Sequence, residues 1–411
     1  MIEILFLSHR IPFPPDRGDK IRSHHILKRL AQIAPVHVAT FADDERDFAE
    51  EPELARITRS YCLVERRKPL ALAGVEALLE RIPVSLMAFR SPAISRYVRD
   101  LVARRPIGTI YVFSGQMGQY VPASFTGRVI ADFVDVDSAK FEAFAAKGSG
   151  LRRWIDAREG RLLRAEEARL ARRAHVSLLI SQSEANLFRS RLPADGKAKI
   201  AVRALGNGID SAFFDPAGVA PAEAMLAVPG PRLVFTGQMD YAPNITAVER
   251  VMDRILPAIR QREPAASFHV VGRNPPSRLT DRDQRDGIHV WGRVDDVRPW
   301  LKAADMALIP LEIGRGVQNK VLEAMAMTLP VVLTPDAATG IDAASRREFL
   351  VAQSDEDLVA AVFALLDDPA WAHGMGLAAR DYVLENASWD AALSDLPEIV
   401  DVGARTARHA S

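Results

Sequence analysis

The chain has 411 residues, 48% of them hydrophobic and 26% charged, which is material for two or three packed domains and not the composition of a disordered chain. Lys plus Arg and Asp plus Glu number 53 each, so the net charge is +0 and nothing points to a nucleic-acid partner. One cysteine, Cys62, excludes an internal disulfide, and positions 1–8 carry no basic leader; with no apolar run near ~18 residues, the expectation is a cytoplasmic protein.

The first element is a strand over 2–7, followed by Ser8-His9-Arg10-Ile11-Pro12-Phe13-Pro14-Pro15-Asp16-Arg17-Gly18 and a helix over 19–33 that carries Ile21, Leu27 and Leu30 at helical spacing. The prolines stiffen this loop, Gly18 permits a tight turn, and Asp19 is placed to cap the helix. Further strands are predicted over 36–41, 109–113 and 128–134. Two basic amphipathic stretches, 66–105 and 152–173, suit contact with an anionic membrane. Asp156, Glu159, Glu166 and Glu167 dilute the second, which reads better as a solvated helix face.

The segment Asp132-Phe133-Val134-Asp135-Val136-Asp137 contains Asp-x-Asp, the short pattern by which some transferases hold a divalent cation. Three residues are too few to carry that reading, and no metal is expected. Capping and loop hydrogen bonds are the competing role for these carboxylates. The nine histidines show no metal-binding spacing, and no Gly-x-Gly-x-x-Gly run follows the first strand, which argues against a dinucleotide oxidoreductase.

A second alternation begins after Gly206. Strands are predicted over 232–236, 267–271, 288–291, 306–309 and 331–333, with helices over 244–262 and 319–327. Strands separated by helices predict parallel sheets covered on both faces. The expected fold is α/β, with two Rossmann-like domains whose parallel sheets face each other across a cleft. The expected domains are 1–205, 206–385, and a last segment, 386–411, whose helix returns to the first domain before a flexible tail.

The most specific stretch is Arg315-Gly316-Val317-Gln318-Asn319-Lys320-Val321-Leu322-Glu323-Ala324, a glycine turn that opens a helix at the carboxyl end of a strand. Free N–H groups at such a terminus favour an anion such as a diphosphate, and Lys320 adds a point charge. Glu323 is placed to accept from ribose hydroxyls, though a Lys–Glu surface pair has the same spacing. Earlier, Phe235-Thr236-Gly237-Gln238-Met239-Asp240-Tyr241-Ala242-Pro243-Asn244 follows a strand; Gly237 allows close backbone approach and Asn244 reads as a cap. Arg273 ends the next strand as either a phosphate ligand or a solvated arginine, and Val294 stands in the turn Trp291-Gly292-Arg293-Val294-Asp295.

Together with Gly18-Asp19-Lys20-Ile21-Arg22 and 132–140, these stretches resemble the family 4 retaining glycosyltransferases of GT-B architecture, in particular the PEP-CTERM/exosortase-associated sugar transferases of bacterial exopolysaccharide systems. The resemblance covers nearly the whole chain. It departs from the family's Glu-x7-Glu pattern by keeping Glu323 but placing Arg315 where the first Glu stands. It implies transfer of a sugar from a nucleotide-sugar donor to a glycan or lipid-linked acceptor, with no cofactor. It places Arg17, Gly18, Gly237, Gln238, Arg273, Val294, Arg315, Gly316, Val317, Gln318, Asn319, Lys320 and Glu323 around the donor. His9, Lys20 and Asp132 fall on the acceptor side, and Asp19, Asp135, Lys320 and Glu323 are the implied catalytic groups. Peripheral contact with the cytoplasmic face of the inner membrane belongs to the same picture. Rival readings are a nucleotide-sugar epimerase and a non-catalytic nucleotide-sugar-binding subunit of a polysaccharide assembly complex.

Overall fold

The computed structural model describes residues 2–193, 200–313 and 316–401. The chain divides into two compact units, Met1–Asn207 with Leu393–Ser411, and Gly208–Ala392. Each is built on one parallel sheet.

The first sheet has seven strands: β1 (Glu3–Ser8), β2 (Val36–Ala42), β3 (Ser60–Glu65), β4 (Ile107–Phe113), β5 (Arg128–Val134), β6 (Val176–Leu179) and β7 (Val202–Ala204). They lie in the order β3-β2-β1-β4-β5-β6-β7. The second holds β8 (Arg232–Thr236), β9 (Ser267–Val271), β10 (Ile288–Gly292), β11 (Met306–Ile309), β12 (Val331–Leu333) and β13 (Leu350–Val351), in the order β10-β9-β8-β11-β12-β13. Strands buried on both faces read as near-continuous apolar runs, and every residue of β1, β2, β9 and β11 is buried. In both sheets the strand order reverses beside the first strand, between β1 and β4 and between β8 and β11. The carboxyl ends at that reversal are where open α/β sheets place ligands.

The sequence anticipates nine of these strands and misses β3, β6, β7 and β13. Three of the missed strands have four residues or fewer, too short to show a period, and β3 is a half-buried edge strand. The helix expected over 244–262 is continuous but not regular. It runs Ala242–Arg250, passes through a wider π-type turn at Val251–Ile255, and ends as Leu256–Arg262. Pro257 explains the turn: its ring has no N–H and clashes with the carbonyl one turn earlier.

After Leu393 the chain runs in the first unit, where the short helix Leu396–Val400 packs on β5 and on the helix Gly18–Ile33. Thr109 Oγ1 donates to Val400 O at 3.0 Å and Arg128 Nε to Ile399 O at 2.7 Å. Among the described residues no helix is long and apolar enough to cross a membrane.

Candidate functional site

In the second unit the site is assembled at the carboxyl ends of β8, β9 and β10, whose loops are knitted together through glycines. Gly237 N donates to Val271 O at 3.0 Å, Gly272 N to Gly292 O at 2.8 Å, and Met239 N to Arg273 O at 2.9 Å. The backbones lie so close that a Cβ on Gly272 would stand 1.6 Å from Gly237 O. The glycines are what let these loops pack backbone against backbone at the strand ends.

Lys320 lies in the first turn of the helix Asn319–Ala326. Its Nζ donates to Asn244 Oδ1 and sits 4.6 Å from the centre of the Phe235 ring. Asn244 Nδ2 in turn donates to Gln238 O at 2.9 Å. A Cβ on Gly237 would lie 2.8 Å from Asn244 Nδ2 and 3.2 Å from Lys320 Nζ, so the glycine leaves room for both. Asn244 therefore aims Lys320. It is not the helix cap expected from sequence: Tyr241 holds that position, without a side-chain bond. Sequence reasoning missed both Asn244 and Phe235 as partners of the lysine, because neither contact is local.

Lys320 forms no ion pair with a described residue, which is unusual for a half-buried ammonium. Burial brings its pKa down to about 8 against the pull of Glu323, and burial raises Glu323 to about 7 against the pull of Lys320. Both groups thus titrate near neutrality. Gln318, which precedes the helix, provides no side-chain cap, so the N–H groups of Asn319 and Lys320 have no hydrogen-bond partner among the described residues. Gly316 has a left-handed φ of 70°, Gln318 Nε2 donates to Gly316 O, and Val317 and Asn319 are exposed. Arg273 is exposed and makes no ion pair with a described residue, and Val294 is half-buried against the core. Arg315 lies outside the described residues.

In the first unit, His9 follows β1 and its Nε2 lies 3.2 Å from Asp19 Oδ2. Arg10 reaches Asp19 and Asp43 at 2.6 Å each, Arg66 reaches Asp43 at 2.7 Å, and Arg17 lies 3.9 Å from both carboxylates. Three guanidinium groups and a histidine thus surround two carboxylates at this edge. Burial pushes Asp19 up, but the bonds from His9 and Arg10 outweigh it and hold the carboxyl well below its usual range. Asp19 is therefore a permanent anion inside this cluster. It is not the helix cap, since the helix starts at Gly18 with Arg17 before it. Gly18 has open space around the position of a Cβ, so no steric rule demands glycine there. The His9 ring stacks on Phe113 at 5.9 Å, and its Nδ1 is buried without a hydrogen-bond partner among the described residues.

Two residues expected on the acceptor side are internal. Lys20 is 2% exposed, with Nζ bonded to Asp47 Oδ1 at 2.5 Å and Phe13 O at 2.9 Å, so it ties the proline-rich loop to the following helix. Asp132 is 1% exposed and accepts from Arg22 at 3.0 Å and Tyr111 at 2.8 Å. Arg22 also reaches Gly206 O and Asn207 Oδ1, so this buried pair fixes the end of the first unit's connector. An unpaired charge inside the unit would cost several kcal/mol, about 3–5, which explains why both cations sit on carboxylates.

Asp135, by contrast, is exposed and lines a small hollow with Asp137, Gly115, Gln116 and Glu167. Backbone strain concentrates here: Ser114 and Val134, which close β4 and β5, hold φ of 75° and 68°. A β-branched residue in that region is disfavoured by roughly 1–3 kcal/mol and is found mostly where a site demands it. Among the described residues, no group of three His, Cys, Asp or Glu is arranged to hold a metal ion.

Residues 230–368 match the family described as glycosyl transferases group 1. No curated protein matches the chain. Among solved structures, HepE from Anabaena, determined with UDP and glucose, superposes with a TM-score of 0.59 at 13% identity, covering 98% of this chain and 100% of that one. Sucrose-phosphate synthase from Thermosynechococcus elongatus gives 0.60 at 17% identity over 100% of both chains. The fold is GT-B. WaaG, a glycosyltransferase involved in lipopolysaccharide biosynthesis, gives 0.55 at 16% identity over 98% of this chain and 100% of its own.

Proposed function

We propose that the chain is a retaining, hexosyltransferase-like glycosyltransferase of family 4, moving a sugar from a nucleotide-sugar donor to a glycan or lipid-linked acceptor in bacterial exopolysaccharide synthesis. The observation that carries this reading is Lys320. It is a half-buried ammonium that forms no ion pair with a described residue and is only partly offset by Glu323, held by Asn244 beside Gly237 and in the first turn of a helix without a side-chain cap. Such a place is built for an anion, and it lies within the segment that matches glycosyl transferases group 1. A donor diphosphate fits it, with Arg273 and Arg315 adding charge, Val294 near the base and Glu323 accepting from ribose.

In same-face transfer the leaving diphosphate takes the acceptor hydroxyl's proton, so no side chain has to act as a strong base. What the protein supplies is stabilisation of the charge that develops on the leaving phosphate, through Lys320, the helix N–H groups and the arginines. The resemblance assigns Arg17 and Gly18 to the donor, and within the first unit Asp19 sets the charge of the loop that carries them. His9 is assigned to the acceptor side and Asp135 to the catalytic groups. Neither a cofactor nor a metal is assigned a role, and the work is done at the cytoplasmic face of the inner membrane.

The test is Lys320→Ala. Removing a charge that contacts the diphosphate is expected to lower kcat/KM for the nucleotide sugar by at least about tenfold, roughly 1.4 kcal/mol, with little change in Tm. Turnover near that of the native chain, with the fold intact, would remove Lys320 from the proposed role.

A further inference from the structure

The helix Leu70–Glu80, LALAGVEALLE, buries only Ala73 and Ala77. Its large apolar residues point outward: Leu79 is 79% exposed, Leu70 67%, Val75 57%, and Leu72 and Leu78 50% each. A helix that is apolar nearly all round is normally buried, and one left open marks an interaction surface.

The surface continues on a second helix, Gly150–Arg173. Leu151 is 73% exposed, Trp154 54% and Ile155 41%. With Arg158 they fall at spacings of three, one and three, on one helical face. Arg158 Nη2 donates to Ala77 O at 2.6 Å and to Ile82 O at 3.3 Å, so the two apolar runs adjoin where that arginine meets the first helix. Three of the four acidic residues that dilute this stretch in the sequence are withdrawn from its surface, and the fourth, Glu166, is half-buried and paired with Arg169. Asp156, Glu159 and Glu167 are buried. Glu159 accepts from Val84 N, Ser85 N and Ser85 Oγ, and Glu167 from Ser138 N and Oγ. On the first helix Glu80 is exposed and paired with Arg90, and Glu76 is half-buried and paired with Lys68, while the exposed charges nearest Leu151 and Trp154 are basic. Lys147, Arg152 and Arg153 are exposed around Leu151 and Trp154, and Arg67 and Arg81 flank the first helix.

We propose that Leu70–Glu80 and the start of Gly150–Arg173 together form a docking surface for an anionic lipid bilayer, with the leucines and Trp154 entering the headgroup–acyl boundary and the arginines meeting lipid phosphates. The proposal rests only on the membrane part of the reading above and is independent of Lys320. Charge decides between a bilayer and a second copy of the chain. In a two-fold dimer the same patch would face itself, setting Arg152 and Arg153 against their own copies, whereas an anionic surface complements them. The apolar area, on the order of several hundred Å², suits reversible insertion.

The test is flotation of the full chain with vesicles of roughly one part phosphatidylglycerol to two parts phosphatidylcholine. Trp154 is a direct reporter, since the other four tryptophans, Trp291, Trp300, Trp371 and Trp389, belong to the second unit. Binding to these vesicles but not to pure phosphatidylcholine, with Trp154 quenched by brominated lipid, is the expected result. The double substitution Leu79→Gln with Trp154→Gln, at exposed positions where Tm stays unchanged, is expected to reduce partitioning at least tenfold. No binding, binding indifferent to the double substitution, or a vesicle-free dimer abolished by it would each overturn the proposal. Donor turnover in solution, measured on the same variant, stays at the level of the native chain and separates this failure from failure of the transferase reading.

Discussion

Lys320 and Glu323 have pKa values near 8 and 7 for the same reason: burial disfavours the charged form of each, and each only partly rescues the other. Both shifts cost the folded state. The lysine penalty grows as pH falls from its ordinary 10.5 to about 8, and the glutamate penalty grows as pH rises from 4.5 to about 7. Holding such a pair makes sense where a ligand supplies the missing partner. A nucleotide sugar has no phosphate that titrates in this range, so the pH profile of kcat/KM reports the free protein. It is expected to peak between about pH 7 and 8, where Lys320 is cationic and Glu323 ionised, and to fall on either side. A profile flat from pH 6 to 9 would show that neither group meets the donor. The sequence showed this pair at helical spacing, but not that burial separates it from a surface ion pair. It also could not show Asn244 and Phe235 closing on Lys320, because those contacts span 76 and 85 positions.

Elements whose sequence carries one dominant signal were legible. Apolar runs with glycine turns marked β5, β8, β9, β11 and β12 to the residue. What was not legible is how elements turn their polar residues. Lys20, Arg22, Glu159 and Glu167 look like solvated helix positions and are buried, each on a partner distant in sequence. The glycines divide in the same way. Gly272→Ala would drive a methyl group into Gly237 O, and a destabilisation of about 2–4 kcal/mol is expected from thermal or urea unfolding. Gly18→Ala meets nothing within 4 Å and should unfold within about 0.5 kcal/mol of the native chain. Any loss of donor affinity in that second variant would then come from the ligand side. Equal stability of the two variants would contradict the close packing of the loops after β8 and β9.

At the scale of the whole molecule, two Rossmann-like units are joined by two chain crossings, and the sequence pattern of each unit was enough to give the class of fold. The second-unit ends of the two crossings lie side by side. Ile209 N donates to Ala387 O at 2.7 Å and Trp389 N to Ile209 O at 3.3 Å, while a Cβ on Gly208 would stand 2.4 Å from Trp389 Cα. Binding of a nucleoside diphosphate by the second unit through Lys320 is tested by thermal unfolding in a panel of UDP, GDP, ADP and their sugar conjugates without added metal. A bound ligand raises the midpoint in step with its concentration over its dissociation constant. A saturable rise for one nucleotide family, abolished by Lys320→Ala, is the expected result; no rise with any nucleotide, with or without magnesium or manganese, would contradict donor binding at Lys320.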